Sequence, residues 1–456
     1  MSKNVFAGVG ISKNDDPFQA GKEAVEMAIK DMKKRGGNEP NFGLVFCSGG
    51  KYGKDDRTIK KFVDGCQSVF SKYKGCKWIG GTSSGEISNY GIYRGSVVAM
   101  VVSSKYIHVG IGAEEGVHKN AKKATLSSLK SALSDLKVDK RIDAYIRYLV
   151  TKEKPLSESM KVKPYLCFVV SAGSTLDTGS SYGDDVLETL TEALGGNIPV
   201  FGGCTGDDHF FRKNYQFANG KILKDGIVLM LWVINTKFRG EVFQGFAPRK
   251  EYVVVTKAKD YTVSEFNGKP SVDEFKKTLK YEVKVIPHSG FMKNIKIGVA
   301  KLVTSLGLPI TEKIIYEVLK SPLGFIDKNN NMTILLPIMR VNEKIMFTSK
   351  LPEQTLLRRL DCDIDTLKLL ERDIYSKIEK SEENIAFFVD LNCSLRGILL
   401  GDEFFSKLGN KIKKMNLPPF IGFFSYGEYG FTQDYHNTYN SLVHNILVIS
   451  DELIVK

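Results

Sequence analysis

Three short stretches hold the residues best suited to chemistry. They read Gly80-Gly-Thr-Ser-Ser-Gly-Glu86, Gly202-Gly-Cys-Thr-Gly-Asp-Asp208 and Gly422-Phe-Phe-Ser-Tyr-Gly-Glu428. In each, an apolar run gives way to small and hydroxyl residues and then to an acid. Glycine reaches positive φ and lets a ligand come close to main-chain N–H groups, which singles out Gly80, Gly81, Gly202 and Gly203. The hydroxyls of Thr82, Ser83, Thr205 and Ser425 donate or accept. Glu86, Asp207, Asp208 and Glu428 can hold a cation or a hydroxyl. Such groups suit a small zwitterion: hydroxyls and N–H groups on its carboxylate, an acid on its ammonium. Ligands of α/β sheets bind at strand ends of this kind. A single Gly-rich turn is more often a structural cap. Three at one spacing mark a fold signature, and which copy binds is left open.

Other constellations are thinner. Cys393 and Arg396 fall between a strand and a helix, where a guanidinium would bind a carboxylate or lower a thiol pKa. Arg396 is the better ligand contact of the two, with Cys393 shaping the site. Cys204 with His209 could form a nucleophile and base, although a small buried cysteine is the simpler reading. His436 and Asn437 precede the last strand and complete the candidate binding set. Gly110-Ile-Gly-Ala-Glu-Glu-Gly116 misses the dinucleotide spacing, and Gly49-Gly-Lys-Tyr-Gly-Lys54 lacks the P-loop ending. No cluster has metal-ligand spacing, so neither metal nor cofactor is expected.

The elements that must position these turns repeat. Ser48 to Gly80 spans 32 positions, Ser171 to Gly202 spans 31, and Asp390 to Gly422 spans 32. An apolar run, about twenty helical residues and a second apolar run ending in glycine is a β–α–β pattern. A further buried strand follows each: 96–102, 226–234 and 442–449. In the first helix Ile59, Phe62, Val63, Cys66, Val69 and Phe70 recur at three- and four-residue steps. Leu395, Leu399, Leu408 and Ile412 do the same in the third. Val5–Ile11 with the helix at 18–32 is matched by Ile107–Ala113 with the helix at 119–136, so the N-terminal half reads as a tandem duplication. Residues 250–340 differ, with a β-rich start at 251–261, helical stretches at 273–279 and 311–319, and a turn at 327–331. The expected fold is α/β: two domains, 1–245 and 246–456, of repeated β-α-β-β units on mixed sheets flanked by helices.

Composition bounds the function. The chain has 456 residues, 42% hydrophobic and 26% charged, as in ordinary globular proteins. Seven cysteines without a CxxC pair argue against a disulfide framework and for a reducing cytoplasm. The longest apolar run, 227–234, is far short of a membrane span, and the N-terminus lacks a secretory signal, so no membrane role is expected. The net charge of +13 comes from scattered lysines, which does not suit a dedicated nucleic-acid binder.

The chain resembles the FIST family (F-box and intracellular signal transduction). The N-terminal FIST domain is matched by 78–86, by 201–208 and by Gln216-Phe-Ala-Asn-Gly220. The C-terminal FIST domain is matched by Asn392-Cys-Ser-Leu-Arg396, by 422–428 and by His436-Asn-Thr438. The resemblance implies a cytoplasmic sensory module for small ligands, with amino acids the suggested class. No kinase, receiver or F-box segment is visible, so a stand-alone sensor would signal through another protein. The expectation is a sensor, not an enzyme. The alternatives are a hydrolase with Cys204 or Cys393 as nucleophile, and a protein-interaction scaffold without a ligand.

Overall fold

A computed structural model describes residues 3–137, 164–196, 198–278, 312–326, 331–432 and 434–454. The expected turn at 327–331 lies almost wholly outside these residues, as do Leu279 and Thr311.

The first unit runs β1 (Phe6–Ser12), α1 (Pro17–Lys34), β2 (Phe42–Ser48), α2 (Asp56–Phe70), β3 (Lys77–Ser83), a hairpin of β4 (Glu86–Ser88) and β5 (Gly91–Tyr93), then β6 (Val97–Ser103). The second repeats it: β7 (Ile107–Glu115), α3 (Val117–Leu136), β8 (Tyr165–Ser171), α4 (Gly183–Ala193), β9 (Val200–Cys204), the hairpin β10 (Tyr215–Ala218) and β11 (Lys221–Lys224), and β12 (Gly226–Ile234).

The third unit opens with β13 (Thr236–Phe243) and is then interrupted. The interruption holds β14 (Ala247–Lys259), β15 (Thr262–Phe266), β16 (Lys269–Pro270), α5 (Ser271–Thr278), α6 (Glu312–Lys320), β17 (Leu323–Ile326), β18 (Met332–Leu335), β19 (Pro337–Val341), β20 (Lys344–Phe347) and β21 (Leu356–Asp361). These strands form an eight-stranded antiparallel sheet of their own. The unit resumes with α7 (Ile364–Glu379), β22 (Ile385–Cys393), α8 (Ser394–Leu400), α9 (Asp402–Ile412), β23 (Phe420–Ser425), the hairpin β24 (Glu428–Phe431) and β25 (Asn437–Asn440), and β26 (His444–Leu453). The continuous third helix expected from the leucine spacing is two helices, broken at Gly401, whose φ is +86°.

Each unit builds a sheet of one order. A parallel central pair (β2/β3, β8/β9, β22/β23) is extended by the unit's last strand and then its first. The sixfold count is completed by exchange. The first unit's hairpin pairs with β23 of the third, the second unit's with β3 of the first, and the third unit's with β9 of the second. The three units thus form a closed ring with pseudo-threefold symmetry. β13 lies before residue 246, yet its ladder is with β26. Asn4 N and Val5 N donate to Asp451 Oδ1 at 2.8 and 2.7 Å, tying the first strand of the ring to the last.

Burial follows the pattern of apolar runs. One face of each six-stranded sheet turns toward a shared core containing Phe42, Phe46, Phe168, Trp232, Phe387 and Phe423. Phe46 meets Phe423 at 4.2 Å between centroids and Phe42 meets Trp232 at 4.8 Å, joining sheets of different units. Helices cover the outer faces. Asp16, Asp55 and Asp363 cap α1, α2 and α7 by accepting N–H bonds from the first turn.

The repeated glycine has a steric cause. A Cβ on Gly80, Gly202 or Gly422 would lie 1.8, 2.0 or 2.2 Å from the carbonyl oxygen of Val45, Val169 or Asp390 on the neighbouring parallel strand. The ladder therefore aligns Val45, Val169 and Asp390. The sequence spacing had instead matched Ser48 and Ser171 with Asp390. That correction moves the first two units by three and two residues.

Candidate functional site

The three glycine–acid turns meet where the strands of the three units end. Gly206 N donates to Thr82 O (2.9 Å), Tyr426 N to Cys204 O (3.0 Å) and Ser84 N to Phe424 O (3.0 Å), so each unit hands one backbone bond to the next.

Beside this ring sit three equivalent polar pairs. Ser83 Oγ lies 2.6 Å from Glu86 Oε1, Ser425 Oγ lies 2.7 Å from Glu428 Oε1, and Gln216 Nε2 donates to Thr205 Oγ1 at 2.7 Å. Register fixes the equivalence: Glu86, Gln216 and Glu428 face Phe423, Gly81 and Gly203, each one residue after the repeated glycine. The acid position of the second unit is therefore Gln216, not Asp207 or Asp208. Two residues separate Ser83 from Glu86 and Ser425 from Glu428, whereas ten separate Thr205 from Gln216. That longer loop hid the match.

All six side chains are fully buried. Each hydroxyl also lies near a strand carbonyl: Ser83 to Cys47 O at 3.0 Å, Thr205 to Ser171 O at 3.1 Å, Ser425 to Asn392 O at 3.3 Å. A hydroxyl has one proton and a carbonyl only accepts. If that proton goes to the carbonyl, the third partner must donate, as the Gln216 amide does. Glu86 and Glu428 fit this place as neutral carboxylic acids. Burial, with the Asp208 carboxylate adding to it, pushes Glu86 up to about 8. Burial likewise pushes Glu428 up to about 8, against the Ser425 hydroxyl. The second oxygen of Glu86 accepts from Ser96 N and Oγ, where Gln216 Oε1 accepts from Gly226 N.

The remaining expected residues are placed as follows. Thr82 Oγ1 accepts from Tyr215 N. Gly81 and Gly203 pack against Thr205 and Ser425. Asp207 organises the long loop, accepting from Tyr426 OH (2.7 Å) and from the N–H groups of Phe211, Arg212 and Lys213. Asp208 accepts from Ser48 Oγ (2.6 Å) and Gly50 N (2.8 Å). Asn437 pins β25 to the start of β9 through Val200 N and Ile198 O, away from the turns. His436 sits half-buried in the β24–β25 loop, where its N–H donates to Thr432 Oγ1. The alternative Cys204–His209 dyad is not assembled. Cys204 lies near Ser171 Oγ and Tyr439 OH, whereas the His209 ring meets Ser394 O at 3.2 Å. Burial pushes the Cys204 and Cys393 thiols up, away from the nucleophilic thiolate.

Arg396 is answered by the protein itself. It is fully buried, paired with Glu371, and donates to Gln244 O and to Leu442 O (3.0 Å). Glu371 also meets His444 Nδ1 at 2.9 Å, and His444 Nε2 meets Asp390 Oδ1 at 2.9 Å. Tyr375 OH donates to Asp390 Oδ2 at 2.5 Å, and Asn392 Nδ2 to Glu371. Burial opposes charge on Glu371, yet Arg396 and His444 overcome it and hold the carboxyl down to about 2. Burial likewise opposes the imidazolium, but Asp390 and Glu371 hold His444 up to about 9. Two cations and two anions therefore close on one another beneath β22. Glu371 was legible in principle. It continues the buried stripe of Leu367, Ile374, Tyr375 and Ile378 on α7.

A partly open cavity adjoins the turns. It measures about 50 Å³ and lies between the ends of β8, β22 and β23 and the inserted sheet. Cys393, Ser394 and Tyr426 form its floor, and Leu336, Pro337 and Ile338 its roof. Ser394 is 1% exposed, and its hydroxyl has no hydrogen-bond partner among the described residues. Of the expected binding residues, Cys393 lines this cavity. Among the described residues no group of three or more His, Cys, Asp or Glu is placed to hold a metal, and no helix is long and apolar enough to cross a membrane.

The profile of the FIST N domain matches residues 41–269, and that of the FIST C domain matches 302–430. The chain belongs to the FIST family. The FIST N match runs past residue 245, through β15, and so takes in the opening strand of the third unit. An archaeal relative, uncharacterized protein MJ1623 of Methanocaldococcus jannaschii, is 26% identical over 328 residues, 66% of this FIST chain and 58% of the relative. The match thus spans little more than half of that protein's length. Two solved structures of cyanuric acid hydrolase are similar at 8% identity. One covers 98% of this chain and 99% of its own at a TM-score of 0.32. The other, from A. caulinodans, covers 51% and 71% at 0.25. At those scores the likeness assigns no activity to the FIST chain.

Proposed function

We propose that this FIST chain is a cytoplasmic small-ligand sensor whose ligand occupies the cavity at Ser394, and that it reports to a separate signalling protein. The observation that carries the reading is the buried, unmet Ser394 hydroxyl beside a partly open cavity at the strand ends. A buried hydroxyl without a partner costs about 1–3 kcal/mol, which a ligand could recover. The cavity lies between the third unit and the inserted sheet, so occupancy bears on how the two are held together. That is what a sensor needs of its binding site.

The test is a thermal-shift screen of the full chain against the twenty amino acids and a panel of small metabolites. Ligand at one hundred times its dissociation constant adds about 2.7 kcal/mol, a shift of a few degrees. A hit that disappears in Ser394→Ala supports the reading. A hit indifferent to that change moves the site elsewhere, and a flat screen favours the interaction scaffold.

A further inference from the structure

We infer that the ligand of the Ser394 cavity is a short, uncharged molecule with a hydrogen-bonding group at one end and a small hydrocarbon body at the other. The inference rests on the cavity being the ligand site, and it departs from the zwitterion expected from the turns.

The first ground is charge. Among the described residues lining the cavity, none is ionisable as a strong acid or base. The neighbouring ionisable side chains lie outside that lining. Arg396, two residues beyond Ser394, gives its guanidinium to Glu371 and two backbone carbonyls. Asp207, behind Tyr426, takes that residue's hydroxyl and three N–H groups. Glu428, two residues past Tyr426 and placed as a neutral acid, sets Oε1 against Ser425 Oγ and keeps Oε2 buried without a hydrogen-bond partner among the described residues. An ion entering the cavity would lose part of its hydration and meet no counter-charge in the lining.

The second ground is polarity. One unmet hydroxyl can both donate and accept, so it suits a carbonyl, amide or alcohol equally. Ser174 and Ser441 add hydroxyls to the same lining. The third ground is shape. Leu336, Pro337, Ile338, Phe211 and Leu395 supply an apolar wall, and the volume is about 50 Å³. A single water needs roughly 10–15 Å³ of such space, so only a few heavy atoms fit. Short primary amides and alcohols meet all three conditions.

The experiment titrates the full chain with acetamide, propionamide and isobutyramide, and in parallel with propionate, propylammonium and alanine, reading binding by ligand-observed NMR. The amides are expected to bind at least about tenfold tighter than ions of the same size, and to weaken about tenfold in Ser394→Ala. The roof variant Ile338→Phe, which fills the cavity without touching Ser394, is expected to abolish the amide signal. If the ions bind as tightly as the amides and lose affinity in Ser394→Ala, the uncharged-ligand inference falls while the cavity stands as the ligand site. If no probe binds in a Ser394-dependent way, the sensor reading falls with it.

Discussion

Replacing Glu86 by glutamine is expected to stabilise the protein at neutral pH. Such a change usually costs stability, but here the second unit already carries the amide at the equivalent place. Glu86 titrates at about 8 in the folded chain against an ordinary 4.5. Each unit of that gap corresponds to about 1.4 kcal/mol. A carboxyl with a raised folded pKa gives its full stability below the unfolded value and loses it as the pH climbs toward the folded one. At pH 7 the loss per group is about 3 kcal/mol, and above pH 8 it levels near 5 kcal/mol. The amide has no such loss. Its Nε2 can donate to Ser83 Oγ while its oxygen accepts from Ser96, as Gln216 does with Thr205 and Gly226. The assay is denaturant unfolding of wild type and Glu86→Gln at pH 4.5, 6, 7 and 8. The curves are expected to coincide near pH 4.5 and to separate progressively above it. Glu428→Gln is expected to behave alike, and the double variant to remove the share of the pH dependence between 5 and 8 that these two acids carry, leaving that of His444 and Asp184. A Glu86→Gln chain less stable than wild type at pH 7, with an unchanged pH slope, would refute the neutral-acid argument.

Three further outcomes follow from the packing. Arg396→Met leaves Glu371 buried without its guanidinium and is expected to cost about 3–5 kcal/mol, read as a fall in melting temperature; an unchanged melt would mean that the network is not closed from water. Gly80→Ala drives a methyl into the Val45 carbonyl and is expected to cost 3 kcal/mol or more, whereas Gly75→Ala, with open space around it, should cost about 1 kcal/mol; equal losses would remove the steric account of the repeat. Alkylation at neutral pH is expected to reach Cys76 first, because the other six thiols are buried. Rapid labelling of Cys204 or Cys393 instead would restore the nucleophile reading.

Much of the repeat was legible because it is local. The β–α–β pattern shows in runs of apolar residues, and the glycine ending each second strand shows because a carbonyl packs against it. The hairpin exchange was not legible, since pairing β4 with β23 joins residues over 330 positions apart and leaves no periodic trace. Three copies were visible, but their alignment slipped where Thr205 and Gln216 are parted by the long loop. The candidate site suffered for a related reason. Arg396 and Glu86 carry side chains a zwitterion would want, but sequence cannot say that both are answered from within. The Ser394 hydroxyl was passed over because one serine among many carries no signal until its neighbours are known.

The closed exchange of hairpins gives the fold no privileged beginning. Each junction between units is short, from Ser103 to Ile107 and from Ile234 to Thr236, and the first strand is fastened to the last through Asp451. A circular permutant opened at 235 and relinked between residues 454 and 3 would keep every strand pair of the three six-stranded sheets. The arrangement behaves as a molecular round, in which each voice enters on the previous one and the starting point is a matter of where the gene is cut.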